Sequence, residues 1–256
     1  MGDIHRMAVE GYQTAASTYR AGRPDYPAEL TAMLRGQLGI GRGRTVLDLG
    51  AGTGKFTALL ASTGADVIAV EPVEAMRREL ASTLPAVDLR DGTATRIPLP
   101  DAAVDAVFCA QSFHWFATRA AVEEIRRVLK PGGLLGLVWN VRDESTGWVA
   151  ALTDLIAPYQ DDTPRHRDMV WRALFPAPGF TDLEETSIPY AHEGPADRVV
   201  LDRFLSISFV AAQPPDIRRT IETDIRALIA RTPALSGPGP AVFPYNTCLY
   251  TCRKTD

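Results

Sequence analysis

Short apolar runs recur through the first 140 residues of the chain, and polar stretches with a helical pattern separate them. The runs are nearly continuous in apolar character, and they lie at Val46–Leu49, Val67–Val70, Val87–Leu89, Ala106–Ala110 and Leu134–Trp139. Such runs are typical of strands that are buried on both faces of a parallel sheet. The first half of the chain is therefore predicted to form a parallel sheet covered by helices.

Helical patterns fill the intervals between these runs. They are predicted at Ala28–Leu38, Lys55–Ser62, Val73–Leu84 and Arg119–Leu129. In the last of them Val122, Ile125 and Val128 form one apolar stripe, which marks the face that packs on the sheet. The string Lys130-Pro131-Gly132-Gly133 is expected to end this helix and turn the chain. The regular alternation of strand and helix predicts a doubly wound α/β fold.

The pattern changes after Asn140. A helix is expected over Trp148–Tyr159, strands over Thr186–Tyr190 and Tyr245–Arg253, and two or three helical pieces between residues 198 and 231. Residues 160–180 are rich in Pro, Asp and Arg and are expected to be irregular. We expect an N-terminal cap segment (1–35), an α/β core (36–140) and a C-terminal part (141–256) that completes the sheet and covers a ligand crevice.

Composition narrows the set of partners. Over 256 residues the net charge is −4, which gives no general attraction for nucleic acid or for an anionic membrane surface. The three cysteines are not grouped as metal ligands, so we expect no metal and a reduced, cytosolic setting. The first thirty residues hold no apolar block, and we expect neither a secretion signal nor a membrane span.

Three glycines at alternate positions, Gly50, Gly52 and Gly54, follow the first apolar run directly. A strand that turns into a helix on such small residues brings backbone N–H groups and a bare Cα surface close to a ligand. Asp48 lies two residues before the first glycine, inside the predicted strand. An acidic residue there favours a ligand with hydroxyls or an ammonium group over one with phosphates.

Two related glycine motifs do not fit this loop. The dinucleotide fingerprint G-x-G-x-x-G is excluded because Lys55 stands where its third glycine belongs. The phosphate-binding loop is excluded because Leu49 replaces its first glycine and Phe56 replaces its Ser or Thr.

Polar or small residues also follow the other predicted strands, where open α/β sheets bind their ligands. Glu71 ends the second strand, and its carboxylate can accept both hydroxyls of a ribose, although the position also suits a cap for the next helix. Gly92-Thr93-Ala94 leaves a slot for a flat base after the third strand. The fourth strand ends in the polar and aromatic string Ala110-Gln111-Ser112-Phe113-His114-Trp115-Phe116.

Together these strings resemble the class I S-adenosylmethionine-dependent methyltransferases, in the small-molecule group that includes the trans-aconitate methyltransferase-like enzymes. The resemblance covers roughly residues 12–140, and its features occur in the order and spacing of that family. They are the string Val46–Gly54, Glu71, the stretch Gly92–Asp101, His114-Trp115 and Leu129–Gly133. The resemblance implies a mostly parallel seven-stranded Rossmann-like sheet, S-adenosylmethionine as cofactor, a small-molecule acceptor, and a monomer or homodimer.

The family pattern also implies roles for single residues. Gly50 and Gly52 would lie against the methionine part of the cofactor, and Asp48 would orient that part directly or through water. Glu71 would hold the ribose, while Thr93 and Ala94 would flank the adenine; many relatives carry Asp where this chain has Thr93. The complete predicted cofactor set is Asp48, Gly50, Ala51, Gly52, Glu71, Pro72, Thr93, Ala94, Ala110 and Gln111.

The predicted acceptor pocket comprises Tyr19, Arg23, His114, Trp115 and Asn140. A histidine with an ordinary pKa can be neutral at pH 7, and we hypothesise that His114 acts there as a base or as a hydrogen-bond partner. The alternative is a His114 paired with a backbone group and a Trp115 packed in the core. A carboxylate acceptor needs no base, whereas a hydroxyl or a carbon acid does.

Two other functions compete with small-molecule methylation. A nucleic-acid methyltransferase is disfavoured by the acidic net charge and by Ala110–Phe113, where enzymes that methylate base amines often carry an Asn/Asp-Pro-Pro-aromatic string. The second is a protein that binds S-adenosylmethionine as a sensor or scaffold, or that catalyses a cyclisation or rearrangement without methyl transfer. Because fold does not dictate function, the sequence leaves this alternative open.

Overall fold

The computed structural model of the chain describes residues 23–160 and 164–256. Seven strands in these residues form one sheet: β1 (Thr45–Leu49), β2 (Asp66–Val70), β3 (Asp88–Arg90), β4 (Val104–Ala110), β5 (Leu129–Arg142), β6 (Glu184–Gly194) and β7 (Ala241–Arg253). Their order across the sheet is β3-β2-β1-β4-β5-β7-β6. Strands β1 to β5 are parallel, and β7 is antiparallel to both of its neighbours. The predicted seven-stranded, mostly parallel Rossmann-like sheet is confirmed.

Helices cover the sheet and close its second half. They are α1 (Ala28–Gly36), α2 (Lys55–Ser62), α3 (Glu74–Thr83), α4 (Arg119–Val128), α5 (Gly147–Ile156), α6 (Arg203–Leu205), α7 (Ser208–Ala211), α8 (Pro215–Arg231) and α9 (Pro233–Ser236). Short 3-10 turns lie at Phe113–Trp115, Ala157–Tyr159, His166–Asp168 and Val170–Leu174, and a π-helical turn spans Asp197–Asp202. The four helices predicted in the first half occur within a few residues of their expected bounds.

Helix α4 shows how the local sequence sets these elements. The Thr118 hydroxyl caps its first turn by accepting a hydrogen bond from the Ala121 N–H, at 3.2 Å. Val122, Ile125 and Val128 are buried against the sheet, as the apolar stripe predicts.

Two expectations need correction around the later strands. The string 130–133 forms no separate turn, because β5 begins at Leu129 directly after α4 and absorbs the string as an irregularity in its pairing with β4. Strands β6 and β7 are longer than their apolar segments, because their backbones remain paired beyond them. The pairing begins where Glu184 lies opposite Thr251 and ends where Gly194 lies opposite Ala241. Pairing with a neighbouring strand fixes these bounds, and the side-chain pattern does not record it.

The C-terminal part builds a helical cover with an apolar cluster of its own. This cluster joins Leu152 of α5, Val200 of the π-helical turn, Phe204 of α6 and Ile225 of α8 to Phe243 of β7. It anchors the cover to the first residues of β7, beside the end of β5. No helix in the described residues is both long and apolar enough to cross a membrane.

Candidate active site

A cleft opens at the carboxyl ends of β1, β2 and β4, and we call it the glycine-loop cleft. Nine of the ten residues predicted to bind the cofactor line it: Gly50, Ala51, Gly52, Glu71, Pro72, Thr93, Ala94, Ala110 and Gln111. Residues far apart in the sequence meet here because the carboxyl ends of parallel strands share one edge of the sheet.

The three glycines of the loop all have left-handed backbone angles, with φ of 73° at Gly50, 57° at Gly52 and 86° at Gly54. A Cβ on Gly50 would lie 2.7 Å from the Cβ of Ser112, and one on Gly54 would lie 2.8 Å from the Cγ of Leu80. A Cβ on Gly52 would meet no protein atom within 4 Å. Gly50 and Gly54 are thus needed for packing, whereas Gly52 leaves open space at the wall of the cleft.

Glu71 is buried at the end of β2, and its carboxylate bridges two loops. Its Oε2 accepts a hydrogen bond from the Gly52 N–H at 2.9 Å, and its Oε1 accepts one from the Val73 N–H at 2.9 Å. Burial raises the pKa of Glu71 above its usual value, while these two N–H groups oppose the rise. Each oxygen has a second lone pair and can accept a further hydroxyl from a ligand.

Asp48 lies behind the loop, and the described residues that line the glycine-loop cleft do not include it. It is fully buried, and its Oδ2 accepts a hydrogen bond from the Thr57 hydroxyl of α2 at 2.6 Å. Its Oδ1 is buried with no hydrogen-bond partner among the described residues. Burial, with a smaller contribution from the neighbouring Glu71, raises the pKa of Asp48 to about 7, and the hydrogen bond from Thr57 opposes the rise. Asp48 thus links β1 to α2 through its hydrogen bond with Thr57.

The slot after β3 forms the far end of the cleft. The Thr93 hydroxyl lies 3.3 Å from the Thr95 hydroxyl, and the backbones of Thr93 and Arg96 pair to close a tight turn. Val73 and Met76 add apolar surface from the start of α3. Neither residue could be predicted from the sequence, because an apolar residue on a helix carries no sign that it faces a ligand.

A second cleft joins the first, and we call it the arginine cleft. The residues common to both clefts are Arg23, Gln111, Trp115, Asn140 and Arg203. His114, Trp139 and Arg142 extend the arginine cleft along the sheet, and Arg165 and Arg167 line it from the segment after α5. Four of the five residues predicted for the acceptor pocket therefore lie at or beyond this junction. The fifth, Tyr19, lies outside the described residues.

The ring of His114 is held by its neighbour on β5. The Trp139 Nε1–H donates a hydrogen bond to the His114 Nδ1 at 3.1 Å. Burial lowers the pKa of His114 to about 3, with smaller contributions from His166 and Arg23, so the ring is neutral at pH 7. A neutral ring that accepts at Nδ1 carries its proton on Nε2. This geometry suits a hydrogen-bond donor and disfavours a general base.

Asn140 ties the N-terminal segment to the sheet. Its Nδ2 donates to the Asp25 carbonyl at 2.9 Å, and its Oδ1 accepts from the Thr247 hydroxyl at 2.7 Å. The segment that it holds contributes Arg23 and Tyr26 to the wall of the glycine-loop cleft. Both polar ends of the Asn140 amide already bind protein atoms, so its position favours holding this segment over direct contact with an acceptor.

Arg203 is a residue of both clefts that the sequence analysis did not single out. It is 8% exposed and begins α6, directly after the π-helical turn. In the sequence it stands inside an apolar helical stretch next to Phe204, and no motif or spacing marks it. Arg165 and Arg167 were missed for a similar reason, since they fall in a segment without periodic pattern.

Comparison with known proteins finds methyltransferases. The profile of the family described as "Methyltransferase domain" matches residues 47–137. An uncharacterised methyltransferase of Mycobacterium tuberculosis is 39% identical over 236 residues, which cover 92% of each chain. An uncharacterised methyltransferase-like protein of Schizosaccharomyces pombe is 34% identical over 250 residues, which cover 97% of each chain. The structure of a candidate type II methyltransferase from Anaeromyxobacter dehalogenans is 27% identical, covers 90% of this chain and 96% of that chain, and superposes with a TM-score of 0.65.

Proposed function

Because the chain belongs to the class I S-adenosylmethionine-dependent methyltransferases, we propose that it transfers the methyl group of S-adenosylmethionine to a small-molecule acceptor. The observation that carries the proposal is the pair of joined clefts. The glycine-loop cleft has the features of a cofactor site, and beside Gln111 and Trp115 it meets a second cleft with room for an acceptor.

The glycine-loop cleft fits S-adenosylmethionine in three respects. The Glu71 carboxylate can accept the two ribose hydroxyls while it keeps its bonds to Gly52 and Val73. The open space above Gly52 can take the methionine part of the cofactor. The small residues Thr93 and Ala94 leave room for the adenine.

S-Adenosylmethionine supplies an electrophilic methyl group and a neutral thioether as leaving group. The residues of this chain then have to align the acceptor and exclude water. The segment that contains Arg23 and Tyr26 lines the glycine-loop cleft, and a hydrogen bond from Asn140 holds this segment in place. The Nε2–H of His114 donates a hydrogen bond that fixes the orientation of the acceptor, and His114 does not remove a proton from the acceptor.

Other parts of the proposal concern the setting of the enzyme. The acceptor is a small molecule with an oxygen, nitrogen or carbon nucleophile, and nucleic acid is not expected. The narrower place beside the trans-aconitate methyltransferase-like enzymes, the cytosolic location and the monomeric or homodimeric state are further predictions. They draw on the sequence features of the cap segment and on the composition of the chain.

Release of S-adenosylhomocysteine tests the proposed function. The purified protein is incubated with S-adenosylmethionine and a panel of small acids, amines, phenols and carbon acids, and both products are followed by mass spectrometry. We expect S-adenosylhomocysteine and one methylated acceptor to form in equal amounts. A protein that binds S-adenosylmethionine and yields neither product across the panel would instead support the sensor, scaffold or rearrangement alternative.

A further inference from the structure

We propose that the acceptor of this enzyme is a small anion with at least two negative charges, and that Arg142, Arg165 and Arg167 bind it in the arginine cleft. The inference deepens the proposed function, on which it rests, because it states what class of molecule the second cleft takes. Its basis is the charge, the burial and the hydrogen-bonding state of the residues in that cleft.

The charges that line the arginine cleft have one sign with a single exception. Among the described residues the lining holds one carboxylate, Glu144, and five guanidinium groups, those of Arg23, Arg142, Arg165, Arg167 and Arg203. The two histidines of the cleft add no charge at pH 7, because burial lowers the pKa of His114 to about 3 and that of His166 to about 4. The whole chain has a net charge of −4, so this local excess of positive charge opposes the sign of the molecule.

Arg142 is the best-placed member of the set. It ends β5, and its Nη1 is buried without a hydrogen-bond partner among the described residues. Its guanidinium lies over the Phe204 ring, at 5.0 Å from the ring centroid. Burial and the nearby Arg203 lower the pKa of Arg142 to about 10, so it stays cationic at pH 7. A buried cation beside a second one is unfavourable until an anion binds between them or next to them.

Arg165 and Arg167 line the cleft from the segment after α5, and their own ion pairs are long. Arg167 Nη1 lies 3.5 Å from Glu144 Oε1, and Arg165 Nε lies 3.7 Å from Asp168 Oδ2. The Arg165 Nε has no hydrogen-bond partner among the described residues. Each guanidinium carries five N–H donors in a planar fork that matches the oxygens of a carboxylate or a phosphate. Donors from two separate segments can therefore hold two acidic groups of one molecule.

The cofactor's own carboxylate does not explain these three arginines. Arg23 and Arg203 line both clefts, so either can serve the methionine carboxylate of the cofactor. Arg142, Arg165 and Arg167 line the arginine cleft but do not appear in the lining of the glycine-loop cleft. An anion held by these three is therefore a different molecule, and in a methyltransferase that molecule is the acceptor.

Calorimetric titration of the full chain, saturated with S-adenosylhomocysteine, tests the inference. The probes are succinate, citrate and glycerol 3-phosphate, with acetate as a monoanion and dimethyl succinate as an uncharged analogue. We expect binding of the multiply charged probes and little or none of the other two; the succinate and phosphate arms show which acid group is preferred. Arg142→Gln is expected to weaken the binding of the best probe by at least about tenfold.

Three further variants separate charge recognition from a structural effect. Arg167→Gln, at a more exposed position, should weaken the same probe, and Glu144→Gln should strengthen it several-fold because it removes the one carboxylate of the described lining. Arg226→Gln is the matched control, since Arg226 pairs with Glu222 and Asp197 on the surface of α8. We expect it to leave anion binding unchanged.

The inference is overturned if the uncharged ester binds as well as succinate, if no multiply charged probe binds, or if Arg142→Gln and Arg167→Gln both retain wild-type affinity. The affinity for S-adenosylhomocysteine is measured in the same variants and should not change. Failure of the wild type to bind S-adenosylhomocysteine would contradict the proposed function instead, and the anion titrations are then read on the chain without it.

Discussion

Two buried carboxylates at the glycine loop, Asp48 and Glu71, differ in the partners that surround them. Glu71 accepts hydrogen bonds from two backbone N–H groups and faces the cleft. Asp48 accepts one hydrogen bond, from the Thr57 hydroxyl, and lies behind the loop. Burial raises the pKa of both residues. The single donor at Asp48 compensates little of the lost hydration, so its charged form is disfavoured in the folded protein. Asp48 therefore ties the stability of the loop to pH.

We predict that Asp48→Asn raises the free energy of unfolding at pH 8. The pKa of Asp48 is about 7 in the folded chain, whereas its ordinary value of 3.8 applies to the unfolded chain. Between these two values the folded state binds the proton more tightly than the unfolded state does. This contribution to stability is complete below pH 3.8 and is lost as the pH rises through about 7. The amide keeps an acceptor for Thr57 and carries no charge, so the gain at pH 8 can reach about 4 kcal/mol and is smaller at pH 5.

Urea unfolding of the wild type and Asp48→Asn, at several values between pH 5 and pH 8, measures this difference. Parallel pH dependences in the two proteins would show that Asp48 does not titrate in this range.

At the scale of secondary-structure elements, the sequence predicts two kinds of feature. These are the elements with a periodic or continuous apolar pattern, and the turns that are marked by glycine. Apolar runs located β1 to β5, and the glycine string located the turn into α2. Nine cofactor candidates meet in one cleft because the carboxyl ends of neighbouring parallel strands are adjacent, a rule that needs no coordinates. Contacts between residues far apart in the sequence leave no comparable pattern. The sequence therefore does not predict that Asn140 donates a hydrogen bond to the Asp25 carbonyl, 115 residues away. It also does not predict that Arg203 lines the cleft.

We predict that Asn140→Ala loosens the segment that holds Arg23 and Tyr26. The change removes the bonds to the Asp25 carbonyl and the Thr247 hydroxyl, and it leaves the buried hydroxyl without an acceptor. The free energy of unfolding should fall by about 1–3 kcal/mol, and the backbone amides of Arg23, Asp25 and Tyr26 should exchange faster with solvent. Chemical denaturation and hydrogen exchange by mass spectrometry measure the two effects.

Asn246→Ala is the matched control for this prediction. Asn246 lies in β7 one residue before Thr247, and it is partly exposed. If the two variants lose equal stability and show equal exchange at residues 23–26, Asn140 does not hold the segment.

At the scale of the whole molecule, the two halves of the sheet supply the two clefts by different means. The glycine-loop cleft is built mainly from short connections between β1, β2, β4 and the elements that follow them. The arginine cleft is built from the end of β5, the segment after α5, and Arg203 of α6 with the start of α7, which belong to the helical cover that packs on β7. If the proposed function holds, acceptor preference can therefore change with the cover while the glycine-loop cleft stays the same.

Binding of S-adenosylhomocysteine tests most directly whether the glycine-loop cleft is the cofactor site, and Gly52 and Gly43 offer a matched pair of variants. Gly43 has a left-handed φ of 77° and, like Gly52, has no atom within 4 Å of an added Cβ, but it does not line the cleft. Ala imposes a similar backbone strain of about 1–2 kcal/mol at both positions.

By calorimetry we predict one S-adenosylhomocysteine per wild-type chain, wild-type affinity in Gly43→Ala, and affinity weakened by at least about tenfold in Gly52→Ala, where the methyl group occupies the space of the ligand. No binding to the wild type, or equal affinity in the two variants, would contradict the assignment of the cleft.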